Sequence, residues 1–121
     1  MSSADLAGFL LARIEEDEAV ARAASFQVHE WLPGDDAVRE AISFGFHPVA
    51  DVYDCREVAD HIARFDPARV LAECEAKRRI IAAAGPTDTW ESDYAQGIDH
   101  AIRCLASVYS SHPDYREEWR P

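Results

Sequence analysis

The dipeptide Asp66-Pro67, set inside the segment His61–Ala84 (HIARFDPARVLAECEAKRRIIAAA), constrains this chain more than any other feature. Proline disfavours the α conformation at the residue before it and has no N–H to give to a helix interior. At the first position of a helix that donor is surplus, so one helix must stop at the junction and another start. Asp66 suits the N-cap, its carboxylate accepting from backbone N–H groups of the first turn. Upstream, Val58, Ile62 and Phe65 are spaced as one apolar face with Ala59 beside them, which predicts a helix over 55–65. Downstream, Val70, Leu71, Cys74 and Ile81 form the buried stripe of a helix over 67–84. Lys77, Arg78 and Arg79 occupy its second half, where cations suit the helix dipole, and Gly85-Pro86 ends it.

Two longer helices are expected on either side. Over 4–24, Leu6, Leu10, Ile14, Ala21 and Ala24 recur near helical spacing, with Phe9 and Val20 widening the stripe. Ser2 and Asp5 frame a capping box at its start. Glu15, Glu16, Asp17 and Glu18 cannot share one face: Asp17 falls close to the apolar stripe, and the three glutamates point to water. At the other end, Thr87 or Asp88 caps a helix over 89–110 with Tyr94, Ile98, Ala101, Ile102, Leu105 and Val108 as its apolar positions. Gly97 weakens its first turns by about 1 kcal/mol relative to alanine. His112-Pro113 stops it. Tyr115 and Trp119, four apart in the tail, can press a short terminal turn onto the body.

The middle has another character. Ser25 to Leu32 alternates loosely, Pro33-Gly34-Asp35-Asp36 is a turn, Ile42 to Phe46 alternates, and Val49 to Tyr53 resumes an extended pattern. Two or three short antiparallel strands over 26–53 fit this, although AVREAI contains good helix formers and a helical turn over Asp36–Ile42 competes. The predicted fold class is α+β, mostly helical: about four helices packed with a short antiparallel two- or three-stranded element. Residues 1–121 are expected to make one compact domain, with 25–54 as a variable strand and loop region and 111–121 as a docked tail.

A net charge of -11 repels phosphates, which argues against direct nucleic-acid binding, and leaves a basic protein partner or plain solubility as its use. Cys55, Cys74 and Cys104 are odd in number and lack a CxxC spacing, so they read as reduced thiols. No apolar run reaches the roughly 18 residues of a membrane span, and no basic leader precedes the first helix. The expectation is a cytoplasmic protein away from membranes.

The block HIARFDPARVLAECEAKRRIIAA, a variable stretch, an apolar helix and a terminal HPDYREEWRP together resemble a family of small actinobacterial and actinophage proteins classed as a domain of unknown function. ADLAGFLLARIEEDEAVARAA at the start is similar to that family's acidic first helix, whereas 25–54 does not align. The resemblance implies a compact cytoplasmic protein with an accessory or phage–host interaction role. It carries over no activity and no catalytic residue.

Constellations that bear chemistry are sparse. His100 and Cys104 are i, i+4 on one helix face and are the weak candidates for zinc, with Cys74 or His61 to join them from neighbouring helices. Cys104 shares a face with Ile98, Ile102 and Leu105, so its ordinary role is a small buried hydrophobe. Glu57 and His61, followed by Asp66, could pair for acid–base work, though a surface ion pair is the common outcome of such spacing. Arg69, Lys77, Arg78 and Arg79 make a positive region that either meets an anion or pairs with Glu73, Glu75 and the acidic first helix. The favoured function is a non-enzymatic protein-interaction or accessory module without cofactor. Glu15, Glu16, Glu18, Tyr115, Arg116 and Trp119 are its candidate binding residues. The alternative is a small metal-dependent or hydrolytic enzyme with a site near His61, His100 and Cys104. Self-association into a homo-oligomer is the third option.

Overall fold

A computed structural model of the chain describes residues 3–25, 31–33, 37–42, 45–51, 55–84 and 93–121. The chain is mostly helical. Its elements are α1 (Ser3–Ala24), β1 (Trp31–Pro33), β2 (Ala37–Ile42), β3 (Gly45–Asp51), α2 (Arg56–Arg64), α3 (Pro67–Ala83), α4 (Asp93–Ser107) and a closing 3₁₀ turn at Glu117–Trp119. The proposed caps at Ser2 and at Thr87 or Asp88, the Gly85-Pro86 stop, and the Pro33–Asp36 turn beyond Pro33 lie outside the described residues.

The chain divides into two compact units, Met1–Glu16 with Cys74–Pro121, and Asp17–Glu73. In the first, Leu6, Phe9, Leu10 and Ile14 of α1 are buried, as are Cys74 and Ile81 of α3, Ile102 and Ala106 of α4, and Trp119. The steps of three and four between Leu6, Phe9, Leu10, Arg13 and Ile14 place them on one helix face, so the same face that the sequence marks as apolar also buries Arg13. Two expected members of the α1 stripe are not in it: Val20 is 70% exposed and Ala24 is exposed.

α4 is shorter at its end than the pattern suggests. Beyond Ser107 the backbone tightens, with the Tyr109 N–H donating to Ala106 O and the Ser110 N–H to Ser107 O, bonds that span three residues instead of four. The Ser107 hydroxyl donates to the Cys104 carbonyl at 2.7 Å, taking up one of the last free acceptors of the helix. Val108 thus falls in a turn and is 73% exposed, and Tyr94 at the other end is 66% exposed, so neither belongs to the buried stripe.

In the second unit β1, β2 and β3 pair antiparallel in that order, with Trp31 opposite Glu40, Ala37 opposite Asp51, and an irregularity between Val38 and Arg39. The competing helical turn over Ala37–Ile42 is not formed. Pro33 and Pro48 lie on the two outer strands, where a residue that lacks an N–H can leave the ladder intact on its inner side. α2 packs on β1 and β2. Its buried face is set by Ala59 and Ala63, against which Ile62 and Trp31 pack. Val58 and Phe65, expected to point inward, are 44% and 42% exposed. The inward face is instead the one that carries the two alanines.

Candidate functional site

The α2–α3 junction is the best-defined arrangement in the second unit. Asp66 is the N-cap of α3: its Oδ1 accepts the Arg69 N–H at 2.9 Å, and its carbonyl accepts the Val70 N–H at 3.0 Å. Its Oδ2 accepts the Trp31 N–H at 3.1 Å, so one carboxylate serves the helix start and the first strand together. Both oxygens are committed to backbone donors. Asp66 thus has a structural part at the start of α3.

On the outer side of that junction stands Phe65. Its ring centre is 4.8 Å from that of His61, and the Arg69 guanidinium lies 4.4 Å from the ring centroid. Arg69 is itself oriented by Glu73, Nε to Oε1 2.9 Å. An exposed aromatic touched by a cation and an imidazole is ordered before any partner arrives, and aromatic–arginine groups of this kind are over-represented among residues that carry binding energy. Val58, two turns earlier on α2, extends the apolar exposure. In place of an acid–base pair with Glu57, His61 meets Phe65, and Glu57 Oε2 lies 3.8 Å from Cys55 Sγ.

The predicted binding residues separate. Glu15 and Glu16 are exposed on α1, and Glu16 Oε1 accepts from Arg13 Nη2 at 2.8 Å. Glu18, expected to point to water, is 7% exposed. It follows Ile14 by four residues and precedes Ala21 by three, which puts it on the buried stripe, while Asp17 is half-buried.

The tail closes over the first unit. Trp119 is 2% exposed, and the Phe9 ring centre lies 5.1 Å from Trp119, 5.8 Å from Tyr115 and 5.6 Å from His112. Arg13 joins them, its guanidinium 5.2 Å from the Phe9 centroid and Nη1 at 3.0 and 2.7 Å from the two ring nitrogens of His112. Arg103 Nη1 donates to the Glu118 carbonyl at 2.8 Å, and Arg116 reaches Asp5 at 3.5 Å, fastening the tail at two more points. Tyr115 is half-buried and Arg116 stays exposed, so of the three proposed tail contacts only Trp119 is out of a partner's reach. At the end of the tail Glu117 accepts from Arg120; this hydrogen bond and the charge behind it hold the Glu117 carboxyl below its ordinary value and raise Arg120.

His100 and Cys104 do meet, with Cys104 Sγ 3.6 Å from His100 Nε2. Both are exposed, which corrects the expectation that Cys104 is a buried hydrophobe; Cys74, at 2% exposure, has that role. Cys55 and Cys104 are free thiols. Among the described residues no three His, Cys, Asp or Glu side chains gather to hold a metal ion. The positive residues Arg69 and Arg79 pair along their own helix, with Glu73 and Glu75. No helix among the described residues is long and apolar enough to cross a membrane.

Over nearly its whole length this sequence fits one family pattern. The chain belongs to the family of unknown function DUF6221. The match runs over residues 3–121 and so takes in the middle region that by eye does not align. No curated protein and no solved structure matches the chain. In this DUF6221 chain the grouping of Phe65, His61 and Arg69 is what a reading of helical faces misses. Arg69 follows Phe65 by four residues, but a proline junction lies between them, and continuous helical spacing cannot be assumed across it.

Proposed function

We propose that this DUF6221 chain is a non-enzymatic protein-interaction module, with the outer side of the α2–α3 junction as its contact surface in the second unit. The observation that carries the reading is Phe65, 42% exposed and held by His61 and Arg69. Phe65 does not stand alone: Val58 is exposed on the same helix and Arg69 lies over the ring, and aromatic and arginine side chains are enriched among residues that carry binding energy. In the first unit the exposed carboxylates Glu15 and Glu16 offer a second, purely electrostatic contact, on a chain whose charge of -11 favours a basic partner. The finer reading is an α+β cytoplasmic accessory protein of an actinobacterium or its phage, which rests on the resemblance of the 61–84 and C-terminal blocks. A hydrolytic site near His61, His100 and Cys104 is the alternative, with the His100–Cys104 contact behind it.

The test is capture of partners on immobilised full-length chain, compared with Phe65→Ala and with the double variant Glu15→Lys/Glu16→Lys. Loss of the same partner in Phe65→Ala, with the thermal midpoint close to that of the parent, is the expected result. Equal capture by all three proteins would remove the junction and the carboxylates from consideration. Glu18 is left out of the charge reversal because it is buried, and its replacement would report on stability instead.

A further inference from the structure

The exposed pair on α4, His100 and Cys104, meets at hydrogen-bond distance across one turn of the helix. Tetrahedral zinc, with Zn–S about 2.3 Å and Zn–N about 2.05 Å, holds its sulfur and nitrogen ligands roughly 3.6 Å apart. Cys104 Sγ and His100 Nε2 stand 3.6 Å apart before any metal binds. One edge of the coordination tetrahedron is therefore already in place, on a helix, where the two side chains keep a fixed relation. Two further ligands are needed. The described residues of one chain hold no third His, Cys, Asp or Glu close enough to join. Asp99, the nearest carboxylate in sequence, is engaged with Arg103 at 2.8 Å.

We infer that His100 and Cys104 are half of a zinc site completed by the same two residues of a second copy. A two-fold axis through this face of α4 supplies two thiolates and two imidazoles, the Cys₂His₂ set that closed zinc sites use. Among the described residues, the helix surface around the pair leaves room for a close neighbour. Gly97, one turn before His100, is exposed with open space where a Cβ would stand, and Val108, one turn after Cys104, is 73% exposed. Each Cys104 thiol releases its proton to solvent on binding, and each His100 coordinates through the Nε2 lone pair. The site formed from Zn²⁺, two thiolates and two neutral imidazoles has no net charge. Metal binding can thus join two chains of -11 each without adding a buried charge. This inference goes beyond the proposed interaction role and does not depend on it.

The experiment uses metal-free full-length protein in a phosphine reductant, titrated with zinc chloride while molar mass is followed by light scattering, and with cobalt chloride followed by absorbance. Zinc is expected to double the mass with an end point of one ion per two chains. Cobalt should give the visible bands of a tetrahedral ion and the ultraviolet thiolate-to-metal band. His100→Ala and Cys104→Ala should each abolish the doubling with unchanged circular dichroism, and Cys74→Ala should preserve it. No uptake, one ion per chain at constant mass, or a doubled mass that survives chelator would each overturn the inference.

Discussion

α1 and α2 each bury one face, and their large apolar side chains fare differently. α1 turns Leu6, Phe9, Leu10 and Ile14 inward and is covered by the aromatic tail, whereas α2 turns Ala59 and Ala63 inward and leaves Val58 and Phe65 outside. The contrast teaches that hydrophobicity alone does not choose a helix's inner face. What the neighbouring element presents for packing also enters. The tail offers α1 a site into which large rings fit edge to face, and the strands offer α2 a surface that small side chains approach closely.

Replacing the ring that closes the tail should break the comparison most strongly. Trp119→Ala is expected to cost about 3–5 kcal/mol, measured by urea unfolding, as a large aromatic leaves a cavity beside Phe9. Because Trp119 Nε1 is buried with no hydrogen-bond partner among the described residues, Trp119→Phe should recover most of that loss. A Trp119→Phe variant as unstable as Trp119→Ala would mean that the indole N–H, and not the ring, holds the tail.

The alanine face calls for the reverse experiment. Ala59→Leu should destabilise by about 1–3 kcal/mol through overpacking against β1 and β2. Phe65→Ala, the removal of a far larger side chain, should stay within about 0.5 kcal/mol plus the value of its contact with Arg69, itself about 0.5–1 kcal/mol at an exposed site. If calorimetry ranked these two variants the other way round, the assignment of inner and outer faces in α2 would fail.

The smallest effect is electrostatic. The Arg120 hydrogen bond depresses the Glu117 carboxyl in the folded chain, so its contribution is present above the unfolded carboxyl's value and is lost as pH falls through the folded one. The group is fully exposed, so the change in stability should be barely measurable, but a carbon-detected NMR titration should see the Glu117 midpoint rise in Arg120→Ala. A midpoint that stays put would dismiss the pair.

Much of the helical framework was legible because its signals are local. Asp66-Pro67 marked the junction, and α3 begins at Pro67 with Asp66 as its cap. The stripe of α1 from Leu6 to Ile14 was legible for the same reason. What escaped depends on partners far along the chain. That Arg13 and Glu18 would be buried follows from the positions they occupy on α1's inner face, yet their charge argued the other way. That α2 would present alanines inward depends on the approach of β1, and the Trp31–Glu40 register has no local code. Of the candidate sites, the His100–Cys104 meeting was readable from an i, i+4 spacing; the Phe65–Arg69 contact, which bridges a proline junction, was not.

The two oxygens of Asp66 belong to different timescales of folding. The bond to the Arg69 N–H spans three residues and can close as fast as a helix turn forms; the bond to the Trp31 N–H spans 35 and must wait for a long loop to close. In the folded chain the carboxylate that caps its own helix also fixes the end of β1. The same arrangement ties their fluctuations together. When the first turn of α3 frays, the Trp31 amide loses its acceptor, and hydrogen exchange at that single strand residue becomes a gauge of a helix end far away in sequence.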